Sequence, residues 1–177
     1  MPDDAVTAGL YEQDLYAWAM EQAAALRAAR GAILNADSHP VELRRALQAL
    51  DWDNLAEEIE GLARKDRREL GSRLAIIVEH LTKLEFSPAA GPRAGWIDMV
   101  TREREEIEEV LSDSPPLRRN VLDLLTRRAT SAIERAASAL ARHGETVVAA
   151  KARLTRLGQD YLPDEVLGSW LPDPPLP

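Results

Sequence analysis

The sequence predicts an all-α fold: a single-domain helical bundle of about five to seven mostly antiparallel helices. Three features carry that expectation. Ala, Leu, Glu and Arg are abundant, whereas Phe occurs once and Tyr three times, so helix formers outweigh the aromatic residues that strands favour. Apolar residues recur every three to four positions along most of the chain, and no segment keeps the alternation of a half-buried strand. A chain of 177 residues buries roughly 70% of its unfolded surface, which is enough for one core.

Residues 1–10 are small and polar and read as a flexible N-terminus. The first helix starts at Asp14, whose side chain accepts from the free N–H groups of the next turn. Leu15, Trp18, Ala19, Gln22, Leu26 and Ala29 follow at helical spacing. Gly31 is placed to stop this helix, because glycine tolerates the left-handed conformation of a C-terminal cap. Residues 31–40 carry loop chemistry, and Pro40 then opens a short helix through Val41, Leu43, Leu47 and Leu50.

Asp51 caps the next element. Leu55, Ile59 and Leu62 form one apolar stripe, and Leu70, Leu74, Ile77, Leu81 and Leu84 resume it after the charged run at residues 64–69. The pattern suits one long helix with a solvated waist or, as the preferred expectation, two helical segments with little or no loop between them, with Gly61 or Gly71 permitting a bend. Ser87 to Gly95 reads as a loop. Trp96, Val100, Ile107, Val110 and Leu111 make the following helix. Ser114 with Pro115 opens another, through Leu117, Val121, Leu124, Leu125, Ala132, Ile133, Ala136 and Leu140, which Gly144 ends. A last clear helix spans 146–157, with Val147, Val148, Leu154 and Leu157 as its apolar residues. The bundle domain therefore covers 11–161. Residues 162–177 form a Pro-rich tail with five of the eleven prolines, one helical turn near Glu165, and Trp170 and Leu171 placed to dock on the bundle.

Composition excludes several functions. There is no Cys, hence no disulfide and no thiolate nucleophile or ligand. His39, His80 and His143 match no zinc spacing, and no cofactor or metal is implied. The net charge of −8 opposes binding to nucleic-acid phosphates and to anionic membranes. No stretch approaches the roughly 20 apolar residues of a membrane span. The N-terminus lacks the basic and apolar regions of a signal peptide, so a cytoplasmic location is expected. The run Arg-Lys-Asp-Arg-Arg-Glu at 64–69 mixes both signs, as a solvated helix face does. Neither a glycine-rich phosphate loop nor a Gly-x-Ser-x-Gly setting is present.

Several strings, taken in order, resemble a bacterial family known as domain of unknown function twenty-nine. They are Tyr11-Glu12-Gln13-Asp14-Leu15-Tyr16-Ala17-Trp18, then Asp51-Trp52-Asp53-Asn54-Leu55-Ala56-Glu57-Glu58-Ile59-Glu60. Arg67-Arg68-Glu69-Leu70-Gly71-Ser72-Arg73-Leu74 and His80-Leu81-Thr82-Lys83 follow, with Trp96 and Ser114-Pro115-Pro116-Leu117-Arg118 completing the set. The resemblance runs from Tyr11 to Leu117, with residues 31–50 reading as an insertion. It implies an all-helical fold and carries no activity with it.

The residues most suggestive of chemistry are Glu57, Glu58, Arg73, His80 and Lys83. If the two segments of 51–86 pack antiparallel, Glu58 and His80 meet near the bundle interior. Such a carboxylate–imidazole pair serves as a general acid/base dyad or as two metal ligands. Two ligands are too few for a catalytic metal, and no Glu-x-x-His motif adds more. The alternative is a structural network of hydrogen bonds and ion pairs. Trp18 and Trp96 lie near helix starts and suit either a binding pocket or core packing. The sequence thus favours a non-enzymatic interaction or accessory protein with a protein partner or a second copy of itself. The competing reading is a small ligand- or metal-binding domain or enzyme built on Glu58 and His80.

Overall fold

A computed structural model describes residues 13–34, 52–157 and 161–175. All regular structure among them is helical: α1 (Leu15–Leu34), α2 (Trp52–Phe86), α3 (Arg93–Asp113), α4 (Val121–Arg142), α5 (Thr146–Arg156) and α6 (Pro163–Leu167), with a 3-10 helix at Pro115–Asn120 before α4. The expected N-terminal segment 1–10, the Asp51 cap, the short helix through Val41 to Leu50 and most of the 31–50 insertion lie outside the described residues. The helices divide into two compact units. The first comprises Met1–Arg67 and Asp113–Pro116, the second Arg68–Ser112 and Leu117–Pro177.

In the first unit, α1 begins where its cap predicts. Asp14 Oδ1 accepts from the Ala17 backbone N–H at 3.0 Å, and the Asp14 carbonyl accepts from Trp18 N–H at 3.0 Å. The side chain thus satisfies a donor that the first turn leaves free. Gly31 does not end this helix, which continues to Leu34. A glycine inside a helix costs only about 1 kcal/mol, too little to stop it alone. Ala19, Ala23, Ala56 and Ala63 are buried, whereas Leu62, expected on the apolar stripe, is 50% exposed. Small side chains thus line the interior here, which lets helix axes approach closely.

The second unit holds the larger apolar side chains. Leu70, Leu74, Ile77, Leu81 and Leu84 on α2 are fully buried, each worth roughly 1.5–3 kcal/mol relative to exposure. The α2 helix runs unbroken through Gly61, the charged run and Gly71, so the long-helix alternative holds in place of the two preferred segments. On α3, which includes Gly95, Val100, Ile107 and Leu111 are buried as their spacing predicts. Ser114 and Pro115 do open a helical stretch, but its first six residues are 3-10. The whole expected stripe from Leu117 to Leu140 is buried.

The α4–α5 turn closes around Gly144, the only described residue with positive φ, at 89°. Gly144 N–H donates to the Ala141 carbonyl at 3.1 Å, and Glu145 N–H donates to the Leu140 carbonyl at 2.9 Å. These two bonds form a Schellman cap. The α5 helix then turns Ala149 and Ala152 inward, where Ala149 joins Ala137 and Leu140. Of the four apolar residues singled out on this helix, only Val148 packs against that cluster. Val147, Leu154 and Leu157 point outward, because the alanines admit a close approach that larger side chains would block.

The C-terminal segment is fastened to the second unit by arginines. The Arg104 guanidinium donates to the carbonyls of Glu165, Val166 and Trp170, each at 2.8 Å. Arg93 donates to the carbonyls of Leu84 at 2.8 Å and Pro172 at 2.5 Å. Trp170 packs tilted against Tyr161, with ring centroids 6.3 Å apart.

Candidate functional site

The last two turns of α2 set three polar side chains on the flank of its buried stripe. Glu79 and Lys83 are one turn apart and pair at 2.7 Å, and Arg135 of α4 reaches the other Glu79 oxygen at 2.9 Å. Burial raises the Glu79 carboxyl, but the two cations more than offset this and hold it below its usual value. His80 is half-buried, and its Nδ1 lies 2.9 Å from the Ile76 carbonyl. A carbonyl only accepts, so Nδ1 carries the proton. Burial is the main cause that pulls the His80 pKa below its usual value; the Ile76 carbonyl opposes it, and Lys83 adds to it.

Lys83 also lines a cleft of about 380 Å³ in the second unit. Ala89 of the α2–α3 loop, Trp96 of α3, Leu140 of α4, and His143 and Glu145 of the α4–α5 turn complete its main walls. Trp96 rests on the Ala137–Leu140–Ala149 cluster. Glu145 Oε1 accepts from the Ser87 hydroxyl at 2.9 Å, whereas Oε2 is buried and has no hydrogen-bond partner.

Arg73 anchors a separate network. It meets Glu69 at 2.9 Å, Glu103 at 3.1 Å and Glu106 at 3.0 Å. Glu103 is buried, so the guanidinium links α2 to a carboxylate that has lost much of its hydration and whose other oxygen lies 3.8 Å from Arg102.

A family model described as Domain of unknown function DUF29 matches residues 10–156. The chain belongs to that family. The match extends well past Arg118, where the sequence strings end, and takes in α4 and α5. No curated protein matches the chain. Among solved structures, the chain is similar to an alpha-helical protein of unknown function from Rhodospirillum rubrum ATCC 11170. The two share 22% identity over 90% of this chain and 89% of that one, with a TM-score of 0.54. At that identity the likeness concerns the fold alone.

The residues singled out from sequence are scattered. Glu58 and His80 lie about six turns apart on one continuous helix, so they cannot meet as an antiparallel pair would. Glu57 and Glu58 are exposed in the first unit, where Glu57 offers its carbonyl to Arg64 at 3.2 Å. Trp18 is half-buried in the first turn of α1. Lys83 and Trp96 come together in the cleft, and His80 lies close enough to Lys83 on α2 to feel its charge. The cleft's other polar members, His143 and Glu145, carry no short-range signal, because three distant segments build the site. Among the described residues, no cluster of His, Asp and Glu could hold a metal ion. No helix among them is long and apolar enough to cross a membrane.

Proposed function

We propose that the chain is a non-enzymatic interaction protein that associates with a second copy of itself through the outward face of α5. One observation carries the reading. Val147 is 82% and Leu154 86% exposed on an 11-residue helix, and Leu157, which follows its last residue, is 44% exposed. Val147 and Leu154 are about two turns apart and share a side. Apolar residues grouped on an exposed surface mark interaction sites.

The spacing suits a two-fold contact. An antiparallel copy of α5 laid along this face sets Val147 of one protomer opposite Leu154 of the other, and the reverse. The ion-paired state of Lys83 and Arg73 supports the non-enzymatic side of the reading, since charges committed to internal partners are not poised for proton transfer.

The test is the solution mass by light scattering, with Leu154→Glu as the variant. The wild type is expected at twice the chain mass, and the variant at the chain mass with unchanged helical circular dichroism. A wild type that stays at the chain mass up to its solubility limit removes the reading.

A further inference from the structure

We propose that the cleft formed by Lys83, Trp96 and Glu145 binds a small organic amine with an apolar body. The cleft volume of about 380 Å³ falls within the range of ligand pockets, roughly 300–1,000 Å³. Most of its wall is apolar, with Ala89, Leu140 and the Trp96 indole supplying the contact area.

The two charged residues in the wall differ in what they lack. Lys83 is already matched: its ammonium contacts Glu79 at 2.7 Å. Glu145 is matched on one side only. Its Oε1 accepts from Ser87, while Oε2 is buried without a partner. A buried carboxylate oxygen in that state calls for a donor, and a charged donor satisfies it best. An ammonium group meets that need, and the neighbouring indole face attracts the same charge.

The carboxylate is also held in place before any ligand arrives. The Glu145 backbone N–H closes the Schellman turn on Leu140. Ser87, which donates to the side chain, itself accepts from the Ala89 N–H at 3.2 Å. Both ends of Glu145 are therefore fixed, one by the α4–α5 turn and the other by the α2–α3 loop. Preorganisation of this kind lowers the ordering cost of binding. The site is independent of the outward face of α5, so it stands or falls separately from self-association.

Isothermal titration calorimetry with phenethylamine tests the assignment, with 3-phenylpropionate as the acid counterpart. Phenethylamine is expected to bind the wild type and the acid to bind at least about tenfold more weakly. Glu145→Gln keeps the acceptor for Ser87 but loses the charge, and should weaken the amine by about tenfold or more. Ala89→Phe, on the loop and outside the core, should fill the cleft and abolish binding while leaving the melting curve in place. Absence of amine binding to the wild type overturns the proposal. So does equal affinity for the acid, which would point to Lys83, or an affinity unchanged in both variants.

Discussion

Tyr161 donates its phenolic O–H to the Glu85 carboxylate at 2.7 Å. Arg156 meets the same oxygen at 2.8–2.9 Å, and its guanidinium lies 3.9 Å above the tyrosine ring. Tyr161 is buried, so removing the hydroxyl deletes a hydrogen bond to a charged acceptor. Tyr161→Phe should therefore cost about 1.5–3 kcal/mol in urea unfolding. A second readout is alkaline pH. Burial first, and the Glu85 charge next, hold the phenol above its ordinary value. The unfolded chain then releases this proton before the folded one does. Stability should hold up to about pH 10 and decline above it, with a shallower decline in Tyr161→Phe. Equal slopes for the two proteins would contradict this account.

His80 gives the opposite dependence. Its folded pKa lies below the unfolded value because burial penalises the imidazolium. Its contribution to stability is full above about pH 6.5 and is lost as pH falls through the folded pKa. Thermal melts from about pH 7 to about pH 5 should show the wild type losing more stability than His80→Gln. Parallel curves would mean that the imidazole does not titrate differently in the two states.

Gly144→Ala isolates a backbone effect. A Cβ at this position meets nothing within 4 Å, yet φ is +89°. The substitution should cost about 1–2 kcal/mol through strain alone. Gly144→Asn should cost less, since asparagine tolerates the left-handed region. Chemical denaturation of both variants checks the order.

Arg104 joins three carbonyls of the C-terminal segment with one planar group. Lysine cannot reproduce that fork. Arg104→Lys should loosen the segment and speed chymotryptic cleavage after Trp170, as followed by mass spectrometry. An unchanged cleavage rate would mean that Arg93 and the Tyr161–Trp170 contact suffice to hold it.

Much of the helix pattern was legible from side-chain spacing and cap chemistry. The stripe from Leu117 to Leu140, the Asp14 cap and the Gly144 stop all reflect local rules that a linear reading captures. What escaped it was phase and continuity. One long helix and two antiparallel halves share the same periodicity, so Leu55 to Leu84 could not distinguish them, and the supposed meeting of Glu58 with His80 fell with that ambiguity. On α5 the larger apolar residues Val147 and Leu154 stand out by size, whereas the fold buries Ala149 and Ala152. Alanine is ambiguous in a sequence, being at home on either face of a helix. The cleft combines residues from segments distant in sequence, and only Lys83 and Trp96 of its members stood out beforehand.

The α2 helix belongs to both compact units, passing from one to the other at Arg67 and Arg68. The first unit also reclaims residues 113–116 from within the second. A single cut between Arg67 and Arg68 therefore keeps every residue of the second unit on one fragment but separates the first unit from residues 113–116. Gene truncation at the charged run would also sever a helix in mid-course, leaving the first unit short of a piece and the second with a new helix end. The two units are thus unequal as heritable parts: one stretch of gene carries the whole of the second, and none short of residues 1–116 carries the whole of the first.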